Sequence, residues 1–112
     1  MNLDSKLNFV ENTRGIINLS ISLISSHNND AANWIYYSRV KTLKWVLDQN
    51  DNNNLNKLKT IVLFKIKFLK KEKKKAAYRL DIIRIVQEIK NLEFCLEAII
   101  QDIERNKKNK EI

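Results

Sequence analysis

This sequence predicts an all-α fold, a four-helix antiparallel bundle whose last helix is the longest. Three observations predict it. The 112 residues contain no proline and a single glycine, Gly15, which leaves too little turn chemistry for a strand-rich domain. Apolar residues recur at intervals of three and four in four segments, the spacing of one helix face. Polar, asparagine-rich breaks separate the first three segments.

The first helix is expected from about Leu3 to Ser25. Leu3, Leu7, Val10, Ile17, Ile21 and Ile24 fall on one side of it, and Asn2 or Asp4 can cap its start. Arg14 interrupts the stripe, and Gly15 weakens the helix by about 1 kcal/mol relative to alanine. The stretch Ser25–Asp30 reads as a turn, with Asp30 as N-cap of a second helix over about Ala31–Asp48. Its apolar positions are Ile35, Tyr36, Val40, Leu43, Val46 and Leu47, while Trp34, Tyr37 and Trp45 sit outside the tightest stripe. Asp48–Asn54 is the clearest connector.

A third helix starts near Leu55. Leu55, Leu58, Val62, Ile66 and Leu69 make one stripe, and Ile61, Phe64 and Phe68 a second on another face. A helix apolar on two sides is expected to lie between neighbours. Lys70–Lys75 contains no helix breaker, but compactness requires the chain to fold back, so a basic turn is expected there. The fourth helix, about Lys75–Asn106, is the most periodic, with Tyr78, Ile82, Ile85, Val86, Ile89, Leu92, Leu96, Ile99, Ile100 and Ile103 in one broad stripe. Ile83 and Phe94 lie off it. Residues 107–112 read as a basic, frayed tail beyond a single domain of residues 1–106.

Composition narrows the function classes. A hydrophobic content of 44% supports a core, and the length is that of one domain. The only cysteine, Cys95, has no partner for an internal disulfide, which suits a reducing compartment. Neither a signal peptide nor an apolar run of about 20 residues is recognisable. The expectation is a cytoplasmic protein with no membrane partner.

Charge is the strongest functional signal. Between Lys57 and Arg84 eleven Lys and Arg residues are opposed only by Glu72 and Asp81, a net charge of +9 in a chain of net +8. Lysine, asparagine and isoleucine together dominate the chain, as an AT-rich coding sequence favours, so part of the lysine excess is compositional. Drift would spread the lysines, however, and only Lys6, Lys41 and Lys44 precede residue 57. A concentrated basic surface on a helical scaffold is the footprint of a polyanion partner. On a helical wheel Lys59, Lys67, Lys70 and Lys74 share a sector, with Lys71 inside the basic run and Arg79 just beyond. Lysines suit phosphate contact without base reading. Arg39, Lys41 and Lys44 form a second, smaller basic group interleaved with Trp34, Tyr37 and Trp45, which suits stacking on unpaired bases or a protein interface.

Catalysis is not encoded in any recognisable constellation. His27, the sole histidine, falls in an expected loop. No His follows an Arg at the spacing of the helical ribonucleases. Cys95 reads as a small buried hydrophobe. Glu93 and Glu97 share a face without a Glu-x-x-His partner motif, so they read as a solvated acidic face. No zinc spacing or glycine-rich phosphate cradle exists. No enzyme, cofactor or metal is therefore expected.

A family resemblance spans most of the chain. The segment Asn33-Trp34-Ile35-Tyr36-Tyr37-Ser38-Arg39-Val40-Lys41-Thr42-Leu43, then Leu63-Phe64-Lys65-Ile66-Lys67-Phe68 before the basic run, then Leu92-Glu93-Phe94-Cys95-Leu96-Glu97-Ala98-Ile99, resembles the small helical subunit of type III-A CRISPR interference complexes. The family's Ala-Gly-Arg-Glu turn is replaced here by Lys-Lys-Glu-Lys, and its aromatic C-terminal end by Ile-Ile-Gln-Asp-Ile. The resemblance implies a non-catalytic subunit of a ribonucleoprotein, stacked beside the guide RNA and touching guide or target through Arg39, Lys41, Lys67, Lys70 and Arg79. The expected partners are nucleic acid, RNA favoured over DNA, and other protein subunits, with self-association open. The competing reading is a phage- or plasmid-encoded regulator or inhibitor, with Trp34, Trp45, Ile83 and Phe94 as its protein interface and an acidic partner on the basic face.

Overall fold

The computed structural model describes residues 9–26, 30–51 and 53–111. These form α1 (Phe9–Ser26), α2 (Asp30–Asp51), α3 (Leu55–Lys75) and α4 (Arg79–Glu111), with no strand among the described residues. Leu3, Leu7, the candidate caps Asn2 and Asp4, and His27 lie outside the described residues.

The helices run up, down, up, down. The Phe9 N–H donates to Asp102 Oδ2 at 2.9 Å, which sets the start of α1 against the C-terminal half of α4. Asn54, Leu55 and Asn56 line one hollow with Ile103, Asn106 and Lys107, so α3 also begins where α4 ends. Trp34 lies beside Ile83, and Trp45 beside Leu92, so α2 and α4 run in the same direction. At 1.5 Å per residue the 33 residues of α4 span about 50 Å, close to the molecule's longest dimension of 52 Å.

Burial follows one stripe per helix. The core takes Phe9 and Ile17 from α1, Val40, Leu43 and Val46 from α2, Leu58, Val62, Ile66 and Leu69 from α3, and Ile85, Ile89, Leu92, Cys95 and Ile99 from α4. The bundle is flattened, 52 × 35 × 19 Å. α2 and α4 pack together at its centre, α1 lies mainly on α2, and α3 lies mainly on α4. Among the described residues α1 and α3 do not meet, and α2 touches α3 only lightly.

Three local expectations change. α1 is turned about 60° from its predicted stripe. Phe9, Thr13, Ile17 and Ser20 are buried, while Leu19 and Ile21 face out. Burial of the Phe9 ring, anchored through Asp102, outweighs the smaller aliphatic gain of the predicted face. The basic run Lys70–Lys75 is the last part of α3, and the turn comes later, at Ala76–Tyr78. Lys73, Lys74 and Lys75 thereby sit at the negative end of the helix dipole, which offsets part of their mutual repulsion. α4 continues to Glu111 and so includes Lys107–Lys110, placed by the sequence in a tail.

Asparagines build the α2–α3 corner. Asn53 Nδ2 donates to the Gln49 carbonyl at 2.8 Å, which satisfies an orphan acceptor at the end of α2. Asn54 is the N-cap of α3, its Oδ1 accepting from the Lys57 N–H at 2.8 Å.

Candidate nucleic-acid interface

Helix α3 carries nine lysines and one acid, Glu72, a net charge of +8 within 21 residues. Leu58, Val62, Ile66 and Leu69 hold its inner face. At 100° per residue, Lys59, Lys67, Lys70, Lys71 and Lys74 then project over an arc of about 120° that runs from the flank of this inner face round to its far side. Lys67, Lys70, Lys71 and Lys74 are exposed and Lys59 half-buried. Arg84 pairs with Asp81 and Arg105 with Asp102, whereas among the described residues no α3 lysine has a carboxylate as ion-pair partner. Like charges three and four apart on one helix cost a few tenths of a kcal/mol per pair. A polyanion would relieve that cost. Arg79 opens α4 just past the turn and is exposed, which carries the positive surface round the corner.

Apolar side chains interrupt this surface. Phe64 is 67% exposed and Phe68 54%, at one edge of the lysine arc, and Leu63 falls within the arc itself. The sequence places Phe64 and Phe68 against a neighbour, but α2 leans onto α4 and leaves that side of α3 uncovered.

A shallow groove separates α3 from α2, with α4 as its floor. Two adjoining hollows, of about 170 and 260 Å³, lie along it and share Lys41 and Glu88. Lys65 crosses the groove. Its ammonium lies 5.6 Å from the Trp45 ring and 5.5 Å from the Phe68 ring, within cation–π range of both. Lys41 and Arg84 add positive charge to the groove walls, and Glu72 and Glu88 oppose them.

The second basic group does not act as one surface. Residues two apart on a helix point to opposite sides, so Arg39 and Lys41 diverge. Arg39 is half-buried with its guanidinium 5.8 Å from the Tyr36 ring. Lys41 faces the groove, and Lys44 is exposed further along α2. Trp45 is half-buried, packed on the core and turned to Lys65. Trp34 and Ile83 do converge, lining an apolar hollow of about 560 Å³ with Ile35 and Leu80, rimmed by Asp81, Arg84 and Gln87. Phe94 is exposed on the same side of α4 as Ile83, three turns further on.

Cys95 lies fully buried in the core, where desolvation pushes its thiol up to about 12. Glu93 and Glu97 are exposed. Among the described residues no group of His, Cys, Asp and Glu could hold a metal ion, and no helix is long and apolar enough to cross a membrane.

Two features were missed by sequence reasoning. Asp102 reaches Phe9 across 93 residues, and no local signal marks it. Lys65 joins two aromatic rings from different helices, Trp45 of α2 and Phe68 of α3, which only the packing of both helices on α4 brings together. Comparison of the chain with protein-family models, curated proteins and solved structures finds no match.

Proposed function

We propose that this protein is a non-catalytic nucleic-acid-binding module that holds a phosphate backbone along α3, as a small subunit of a ribonucleoprotein assembly of the CRISPR-effector kind. The observation that carries this reading is the row of α3 lysines with no carboxylate partner among the described residues, on a helix held at its inner face by four core residues. Lysine offers a mobile point charge, which suits phosphate and reads no base. RNA is favoured over DNA through the family resemblance alone.

Salt dependence provides the test. Each phosphate neutralised adds about 0.7 to the slope of log K against log salt for a single strand. Replacing Lys67, Lys70, Lys71 and Lys74 by glutamine should therefore flatten the slope by about 3. A slope equal to that of the wild-type protein would refute the proposal.

A second reading rests on the hollow between Trp34 and Ile83. Leu80 is 79% exposed at its edge, and an open apolar site of this kind fits contact with another protein. Nuclease-resistant co-purification of one protein partner, lost on Trp34→Ala, would favour the regulator or inhibitor class over the ribonucleoprotein.

A further inference from the structure

We infer that α3 takes an unpaired nucleic-acid strand in preference to a duplex, with Phe64 and Phe68 as stacking platforms for its bases. This inference rests on the phosphate-binding reading and extends it to the class of strand. Phe64, Lys67, Phe68 and Lys71 fall within an arc of about 100° on the outer side of α3. Each lysine follows a phenylalanine by three residues, so ring and cation are neighbours on the helix surface. A duplex offers such a surface only phosphates, because its bases are paired and stacked on one another. An unpaired strand offers both groups, a phosphate to the cation and a base face to the ring.

The rings are also placed for this task. They stand four residues apart, about 6 Å along the helix axis. Phe68 is held from the groove side by the Lys65 ammonium at 5.5 Å, itself shared with Trp45. Phe64 has no such brace and is the more exposed of the two. Burial of either ring against a neighbouring helix would stabilise the fold, and the flattened packing of this bundle forgoes it.

A bilayer surface is the competing occupant of a basic and aromatic helix face. A helix seated in a bilayer collects its apolar residues on one face and its cations on the opposite one. Here Lys67 and Lys71 alternate with the rings along the axis and adjoin them within the same arc of about 100°, not on the opposite face. The interleaved pattern matches the alternating chemistry of a strand.

The experiment compares the wild-type protein, F64L/F68L and K67Q/K71Q. All substituted residues lie outside the core, so the fold is retained. The probes are an oligouridylate, an abasic oligomer of equal length, an RNA duplex of equal length and anionic phospholipid vesicles. The wild-type protein should bind the oligouridylate at least about tenfold more tightly than either the abasic oligomer or the duplex, and equal affinity for strand and duplex would overturn the inference. F64L/F68L should abolish that difference without changing the salt slope, whereas K67Q/K71Q should weaken all three nucleic acids and flatten the slope. If F64L/F68L binds the oligouridylate as the wild type does while the lysine variant still flattens the slope, stacking is refuted and phosphate binding stands. If the wild type binds no nucleic acid, both fall. Loss of vesicle binding in F64L/F68L with unchanged oligouridylate binding would give the face to lipid and overturn the inference.

Discussion

Gly15 occupies the interior of α1, with no neighbouring atom within 4 Å of where a Cβ would stand and no positive φ to require a glycine. Its only effect on stability is entropic. Gly15→Ala should therefore stabilise the protein by about 0.5–1 kcal/mol, read as a rise in the denaturant midpoint with an unchanged m-value. Cys95 makes the opposite case, a group whose surroundings decide its chemistry. Its thiol has an ordinary value of 9.0 and is pushed up to about 12 by burial. The folded state thus binds the proton more tightly than the unfolded state. The resulting stabilisation is complete below pH 9 and lost as pH rises from about 9 to 12. Iodoacetamide at pH 8 should leave Cys95 unmodified in the native protein and alkylate it fully in denaturant; rapid native labelling would contradict its place in the core.

At the scale of the element, the corner between α2 and α3 depends on side-chain caps more than on turn residues. Asn54→Ala removes the acceptor of the Lys57 N–H and should cost about 1 kcal/mol, whereas Asn56→Ala, two residues further on in the first turn of α3 and exposed, should cost little. Equal midpoints for the two variants would show that the cap contributes nothing. Much of this level was legible in the sequence, since four apolar stripes announced four helices and two asparagine-rich stretches announced two corners. What escaped was the end of α3. Lys70–Lys75 looks like a turn by charge, and Ala76-Ala77 looks like helix by propensity, yet the chain turns at the alanines. No breaker residue marks the place; the docking of α3 on α4 sets it. The rotation of α1 escaped for a related reason. A periodicity reading weighs isoleucines along a face, whereas the fold weighs one phenylalanine that enters the core. In the candidate interface, the α3 lysines were legible because they share one helix. Arg39 and Lys41 were not separable by proximity in sequence, since a two-residue step reverses direction on a helix.

For the molecule as a whole, cohesion is uneven. α3 and α4 contribute fully apolar stripes and α2 one with a single buried threonine, Thr42, but α1 buries both Thr13 and Ser20 among its few inward residues. The Ser20 hydroxyl is buried without a hydrogen-bond partner, a cost of about 1–3 kcal/mol. The Asp102 carboxylate, which also pairs with Arg105, holds the first turn of α1 from the far end of α4. Amide hydrogen exchange should therefore show α1 opening at lower free energy than the other three helices. Asp102→Ala should speed exchange in α1 further while leaving α3 protected. Uniform protection across all four helices would mean that the bundle opens only as a unit.

Both tryptophans sit on α2, one of the two central helices, and only one of them faces the lysine-bearing edge. Trp45 shares a cation with Phe68 at the border of α3, while Trp34 stands at the other end of α2. The protein thus carries an optical gauge of its own. A ligand drawn to Lys65 would alter the indole emission of Trp45, whereas occupancy of the Trp34 hollow would act on the other fluorophore. With one indole replaced at a time by phenylalanine, unlabelled protein can report by colour alone which of its two surfaces has found a companion.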